Sequence, residues 1–524
     1  MTGLAALEQQ IALALRRPAS LWLLMLLAGL PLAFAAWLLL APEIMVSQQS
    51  VTDLLFNLAG AWQLQHGRVQ HVDFHEAVGA LNFWLTLAGF HLTGFSPRAF
   101  LVGVVLMTAA LFVFAVIVAW RRLPLLAATT FVLFICLPAL MPTNVGHIPD
   151  SFTFAMAYNR YGWGAIGILC LMLFVPPQDA TAQRSIDLAC GLLLLLLMYY
   201  VKITYFLTGL GALALALCIS EHIRAQRGLW LLLGLLAIGN ALAPHSHAYL
   251  ADIGWALQSG LANTGLSRIL LQGILGNNIE LAAYGVGFIA AFSLWRQRLA
   301  PLRLPLAALF LIVASVALFT QNTQIRGLPL GMVLLFMLYA ALLPQRALSS
   351  PAALLALLLL PAMTILASAG SLAAYFHSAV PSANLLIVES TNIRQLAVPK
   401  RGAAHGALRP QTIYFDSLLQ AASLFSNGQR RPGRIQLLDR VNPLPFMLGF
   451  EPPRGADLFW EPTAPPRAAE TVLGDADYVL LPKASTAPGF SEALHLRYAP
   501  YLAQHFPQRE ETALWILYSR APRP

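Results

Sequence analysis

Apolar residues come along this chain in blocks of about 15 to 24, the length at which an α-helix crosses roughly 30 Å of hydrocarbon. Leu192 to Met198 and Leu354 to Leu360 have no polar face at all, so they do not read as the amphipathic stripe of a helix packed on a soluble core. The first block runs from about Leu21 to Leu40, behind Arg16 and Arg17. It is too long for the core of a typical signal peptide and reads as a retained anchor. Later blocks fall near 100–119, 123–141, 162–175, 189–201, 204–219, 229–243, 281–295, 304–319, 327–343 and 352–375. The pattern therefore predicts an α-helical polytopic membrane protein of about eleven spans. The two blocks 189–201 and 204–219 turn back around Lys202, which suits short, tilted helices.

Between the first and second blocks lies an interval from Ala41 to about Arg98, far longer than a simple connection. Within it Val51, Leu54, Leu55, Leu58 and Trp62 recur at helical spacing, predicting an amphipathic helix lying along the membrane surface. Asp53 and Asn57, one turn apart, fall on its other face. A stretch dense in ionisable groups follows, His66 to Glu76, and then an apolar segment, Val78 to Phe90, too short to span. From about Ser378 the pattern changes again: long apolar blocks vanish while proline, arginine and aspartate rise. Arg434 to Leu438 and Tyr478 to Leu481 read as short strands, and Phe490 to Phe506 as helical or irregular material. Residues 1–377 thus form a transmembrane module carrying a first loop at 41–98, and residues 378–524 a water-exposed C-terminal α/β domain long enough to bury its own core.

Composition agrees. The chain is 58% hydrophobic and 10% charged, with a mean hydropathy of +0.67, against roughly 25% charged residues in a soluble domain. The net charge of +9 does not point to nucleic acid, because the basic residues sit in short breaks between apolar blocks, where membrane topology accounts for them. With the N-terminus in the cytoplasm, Arg121–Arg122, Arg184, Arg224–Arg227, Arg296–Arg303 and Arg346 are all cytoplasmic. An odd number of spans then carries the tail to the opposite side. Cys136, Cys170, Cys190 and Cys218 all lie inside apolar blocks and read as packing residues, not as a disulfide framework or a metal cluster.

Asp53 to Trp62, then His66-Gly67, Val72-Asp73-Phe74 and Gly79 to Trp84, resemble the first periplasmic loop of the GT-C superfamily of bacterial glycosyltransferases. Gly79-Ala80-Leu81 stands where that pattern has a Gly-Pro-Leu-like turn. The resemblance extends to Tyr158 to Trp163, to Lys202, to Gln324 to Pro329, and to the tail segments Asp477 to Pro482 and Trp515 to Tyr518. It implies an enzyme of the bacterial inner membrane, with its tail in the periplasm, that takes a sugar from a polyprenyl-phosphate carrier. The acceptor would be a cell-envelope glycan, lipid or protein. Donors from aminoarabinose and arabinofuranose to mannose and glucose fit, with a lean towards a pentose and hence an arabinosyltransferase.

Such a transfer needs a base for the acceptor hydroxyl and positive charge against the departing phosphate. The resemblance puts the catalytic carboxylate at Asp53, on the side of the surface helix away from lipid. Asp73 is a second catalytic candidate, orienting the acceptor or sharing the base role; the plainer alternative is a loop aspartate bonding nearby amides. Lys202, Arg326 and Arg160 are the phosphate candidates, each near the outer end of an apolar span, where a cation is costly unless paired or functional. Snorkelling to lipid headgroups is the bland alternative. Asn57, Glu76, Tyr158 and Asn159 are candidates for substrate contact. His71, Asp73 and His75 alternate, so an extended strand would set all three on one face with metal-ligand chemistry; a polar loop lining a wet cavity explains them as well, as it does His245 and His247. No cofactor and no obligatory metal is expected, since lysine or arginine supplies the electrostatics. The competing class is a transporter or flippase for a lipid-linked sugar, although the paired broken helices of internal repeats are not seen. A non-catalytic assembly or sensor protein would leave Asp53 dispensable.

Overall fold

The computed structural model describes residues 10, 13–48, 50–262, 271, 273–320, 327–345, 350–400, 409–426, 430–460, 465, 467–483 and 490–520. The apolar blocks all lie on helices. In chain order these are α1 (Leu21–Leu40), two loop helices α2 (Val51–Gln65) and α3 (Leu81–Thr93), then α4 (Arg98–Trp120), α5 (Leu125–Leu140), α6 (Ala157–Phe174), α7 (Ala180–Val201), α8 (Ile203–Ile219) and α9 (Arg227–Leu242). After these come α10 (His247–Ala262), α11 (Asn278–Arg296), α12 (Arg303–Thr320), α13 (Val333–Leu342) and α14 (Pro351–Ser378). Among the described residues five helices are long and apolar enough to cross a membrane, and α9 with the start of α10 forms a sixth candidate bent by 57°. Shorter apolar helices (α5, α8, α12 and α13) fill the bundle between them. The chain is a multi-pass membrane protein.

The arginine-rich breaks gather at one end of the bundle. Arg122, fully buried, donates to the Asp187 carboxylate and to the carbonyls of Val118 and Val175, while Arg121 pairs with Asp179. At the same end Leu125 N donates to Arg17 O, and the Tyr339 hydroxyl donates to Leu15 O. Arg346 lies outside the described residues. Cys136, Cys170 and Cys190 are buried packing residues as expected, but Cys218 is exposed: its position on α8 leaves it on the outer surface of the bundle.

The opposite end carries the first loop and the tail, and they are joined by strand pairing. Strand β1 (Met45–Val46), just past α1, runs parallel to β3 (Leu396–Pro399), which pairs antiparallel with β2 (Leu385–Val388). Beyond this sheet come α15 (Arg409–Ser426), β4 (Ile435–Leu437), α16 (Leu444–Leu448), β5 (Tyr478–Pro482), α17 (Phe490–His505), β6 (Gln508–Glu511) and β7 (Trp515–Ser519). The second sheet has the order β4-β5-β7-β6, parallel only between β4 and β5. Val479, Leu481, Leu494, Tyr498 and Leu502 make a small core of the tail's own. The main core, in contrast, runs without a break from the bundle through α2 and α16 to Trp515. The runs read as strands at 434–438 and 478–481 are β4 and β5.

Helix α2 differs from its expectation in one respect. Its apolar stripe does not rest on lipid: Val51, Leu54, Leu55, Leu58 and Trp62 are buried in protein. Phe56 packs edge-on against Phe83 of α3 at 5.2 Å, and Trp62 against Phe446 of α16 at 5.7 Å. The reason is that the tail supplies an apolar partner which a local reading of the loop cannot contain. The segment after α2 is held down by one close approach. A Cβ on Gly79 would come 2.1 Å from the Tyr200 carbonyl oxygen, and Gly79 N donates to Val201 O at 3.0 Å. Only glycine lets the loop sit against the end of α7.

Candidate functional site at the loop and tail face

Asp53 lies in the first turn of α2, whose preceding residue Ser50 adopts the left-handed conformation (φ 48°) that swings the chain into the helix. The carboxyl is half-buried. Burial pushes its pKa up to about 6, while the charge of Arg440 from the tail and a hydrogen bond from the Met156 main chain pull the other way. Met156 is itself left-handed (φ 50°) at the start of α6, so two strained turns meet at this carboxylate. One turn on, Asn57 is buried and donates to the Asp53 main-chain oxygen at 2.7 Å; it braces the helix.

Lys202 occupies the break between α7 and α8, its backbone extended (φ −169°). Its ammonium sits 5.4 Å from the centre of the Tyr158 ring, a cation–π arrangement. Burial lowers its pKa to about 8, with the Glu76 carboxylate opposing the shift. Tyr158 in turn experiences the charges of Asp53 and Glu76. The structure therefore brings Asp53, Glu76, Tyr158 and Lys202 into one neighbourhood, from four separate stretches of sequence.

Other candidates fall elsewhere. Asp73 accepts from Val69 N at 2.8 Å and faces Arg454 at 3.7 Å, and its main-chain oxygen accepts from Gly455 N. It is bonded as a loop aspartate that ties its own turn to the tail. Asn159 accepts from the Tyr205 hydroxyl at 2.7 Å, inside the bundle. Arg160 donates to Asn144 Oδ1 at 3.1 Å and to the Ala155 carbonyl. Arg326 lies outside the described residues. Among the described residues, no group of three or more His, Cys, Asp or Glu is arranged to hold a metal ion.

The alternation at His71, Asp73 and His75 does not become a strand. His71 has φ 70° and its N–H donates to Phe74 O, so the segment turns back on itself and Asp73 leaves the common face. The two histidines converge instead on Asp252 of α10. His71 Nδ1 lies 3.0 Å from Oδ2 and His75 Nδ1 3.0 Å from Oδ1 of that carboxylate. Glu76 N donates to Oδ2 at 3.2 Å. Arg467 of the tail completes the cluster, donating to Asp252 at 3.0 Å and to Asp457 at 2.7 Å. Burial alone would raise the Asp252 pKa, but the hydrogen bonds from His71 and His75, with the charges of His75 and Arg467, hold it below the usual carboxylate range. His245 lines a cavity with Arg68, His71, Trp84 and Tyr200.

Sequence reading missed Asp252, Asp457, Arg467 and Arg440. One signal was available for the first: Asp252 is the single acidic residue between Glu221 and Glu280, an isolated charge in an apolar stretch. For the tail residues no local signal exists.

Bundle and site together define a multi-pass membrane protein with a charged, half-buried centre where its helices meet a folded tail. The chain is similar to the crystal structure of ArnT from Cupriavidus metallidurans in the apo state, with a TM-score of 0.47 and 12% identity over 94% of this chain and 98% of that one. It is also similar to ArnT from the same organism bound to undecaprenyl phosphate, with a TM-score of 0.42 and 13% identity over 95% and 99%. No family model matches the chain, and no curated protein matches it. At this identity, residue roles rest on the geometry of this chain alone.

Proposed function

We propose that this protein is an inverting membrane glycosyltransferase that moves a sugar from a polyprenyl-phosphate carrier to a hydroxyl of a cell-envelope acceptor. The observation that carries this reading is the presence, around Tyr158 where the bundle meets the first loop, of a carboxyl with a pKa of about 6 and an ammonium with a pKa of about 8. Near neutral pH Asp53 is then mostly ionised, able to accept a proton, and Lys202 mostly protonated, able to meet a phosphate. The motifs shared with GT-C glycosyltransferases support the same assignment.

In the proposed step Asp53 takes the proton from the acceptor hydroxyl as its oxygen attacks the anomeric carbon. The bond from that carbon to the phosphate oxygen breaks, its electron pair leaves on the polyprenyl phosphate, and the configuration inverts. Lys202 meets the charge gathering on the phosphate, and Arg326 is proposed to share this role. Tyr158 orients Lys202 through its ring, and Glu76 faces the same space. The chemistry needs no metal or cofactor. In this reading the chain has about eleven spans in a bacterial inner membrane, with the N-terminus in the cytoplasm. Residues 1–377 form the membrane module and residues 378–524 a periplasmic domain. A pentose donor is the favoured choice.

The test is to incubate purified protein with a panel of polyprenyl-phosphate sugars and a cell-envelope acceptor extract, following release of the bare lipid phosphate. Turnover with one donor, abolished in a folded Asp53→Asn variant, is the expected result. No turnover with any donor, or a fully active variant, sinks the proposal and favours a lipid-sugar flippase or another base.

A further inference from the structure

Beside the charged centre lies a cavity between the first loop, α10 and the tail, walled by Glu76, Asp252, Trp255, Asp457, Trp460 and Arg467. Both tryptophans bring a buried indole N–H that has no hydrogen-bond partner, and Trp460 is only 3% exposed. A buried indole N–H ordinarily finds an acceptor. Two orphaned donors on the walls of one cavity mark acceptors that arrive with a ligand.

The remaining groups narrow the ligand's chemistry. Arg467 is already committed: it donates to both Asp252 and Asp457, and its guanidinium stacks 4.7 Å from the centre of the Trp255 ring. Glu76, Asp252 and Asp457 put three carboxylates on the space against the guanidinium groups of Arg467 and Arg497, a near-balanced lining that suits an uncharged occupant better than a phosphorylated one. What the walls offer is aromatic surface, indole donors and carboxylate acceptors, the combination that meets a ring bearing several hydroxyl groups. The walls are also pre-set. The Trp460 main chain donates to Arg440 O at 2.9 Å and its ring lies edge-on to Tyr498, while Asp252 is fixed by both histidines.

We propose that this cavity binds a neutral sugar ring, with the Trp255 and Trp460 indoles donating to its hydroxyl oxygens and Asp457 accepting from a hydroxyl. Choosing a sugar over other polyhydroxylated molecules rests on the transferase reading. The ring belongs either to the acceptor glycan or to the lipid-linked donor, and the chemistry of recognition is the same for both.

The experiment uses the full chain in detergent micelles and follows methyl pentofuranosides and methyl hexopyranosides by saturation-transfer NMR. Saturable binding is expected, weakened about tenfold by Trp460→Phe, which keeps an aromatic ring and removes the N–H. Trp255→Phe serves as the second variant, with thermal melting to certify that each is folded. A polyprenyl-phosphate sugar that displaces the glycoside identifies the ring as the donor's; a glycoside that stays bound beside the lipid donor identifies it as the acceptor's. Absence of glycoside binding, or wild-type affinity in both folded variants, overturns the proposal. The two readings fail separately. If no donor turns over yet glycosides bind and Trp460→Phe releases them, the transferase falls and the sugar cavity stands. If turnover occurs without glycoside binding, the reverse holds.

Discussion

His75 Nδ1 lies 3.0 Å from an Asp252 carboxylate oxygen although 177 residues separate the two in sequence. The contact fastens the turn that carries Glu76 onto α10, and Arg467 extends it to the tail. Three parts of the chain that bound the site are thus held by one buried carboxylate. Removing a single partner from such a cluster leaves the others uncompensated, which costs roughly 3–5 kcal/mol. Asp252→Ala is expected to lower the melting temperature of the detergent-solubilised protein by several degrees and to reduce transfer with it. The pH dependence has a definite sign. A carboxyl whose folded pKa is depressed contributes stability that is present above its unfolded value, about 3.9, and is lost as pH falls through the folded value. Wild-type melting temperatures should therefore drop below about pH 4, and the variant's profile should be flatter there. Equal acid sensitivity in both proteins would remove Asp252 from this role.

Asp53 has the opposite linkage. Its pKa rises from 3.8 to about 6 on folding, so the folded state holds the proton more tightly and stability declines as pH rises from about 4 to 6. The shift of roughly two units corresponds to about 3 kcal/mol of destabilisation once the group is ionised. Asp53→Asn should accordingly melt at a higher temperature than wild type at pH 7.5, less whatever Arg440 loses with its partner, while transfer falls by at least about a hundredfold. A variant that is inactive because it is less stable would contradict the assignment of strain to this carboxylate.

The contrast between these two aspartates explains what the sequence disclosed. The helical stripe at 51–62 sets the face on which Asp53 stands, a local property, but its role as base is implied only by the resemblance to GT-C glycosyltransferases, and its neighbours Met156 and Arg440 lie far away in sequence. The apolar helices are legible because the length of an apolar run is a property of the run. Asp252, Asp457, Arg467 and Arg440 act on residues about 180 to 390 positions away, and no periodicity encodes such a meeting. His71 and His75 show the boundary between the two cases. Their alternation with Asp73 puts all three on one face of an extended strand, a strand that the chain does not form. A left-handed residue at His71 turns Asp73 aside and hands the pair to Asp252.

Lys202 should set the alkaline limit of activity. Burial holds its pKa near 8, so the ammonium proposed to meet the phosphate loses its proton within the working range. Transfer rates at saturating acceptor should fall above about pH 8. Lys202→Ala should cost roughly 10²–10³ in rate, the usual penalty for removing one stabilising group from a developing anion. Lys202→Arg, which stays charged, should keep more activity and move the alkaline fall to higher pH. A Lys202→Arg profile that falls at the same pH as wild type would assign that limit to another group.

Arg440 reaches the site from the tail, and its effect can be separated from simple packing. Its guanidinium lies 5.9 Å from the Phe459 ring, and Phe459 packs edge-on against Phe56, three residues along α2 from Asp53. The positive charge opposes the burial that raises the Asp53 pKa. Arg440→Met keeps much of the apolar stem and removes the charge, so the Asp53 carboxyl should become harder to ionise. The acid limb of kcat/KM, expected near pH 6 in the wild type, should then move upward by about one unit, and Arg440→Lys should restore much of it. A residue that merely packed the tail against α2 would lower activity at every pH alike and leave the midpoint where it was. An unmoved midpoint in Arg440→Met, with the protein folded, would show that the tail covers the base without tuning it.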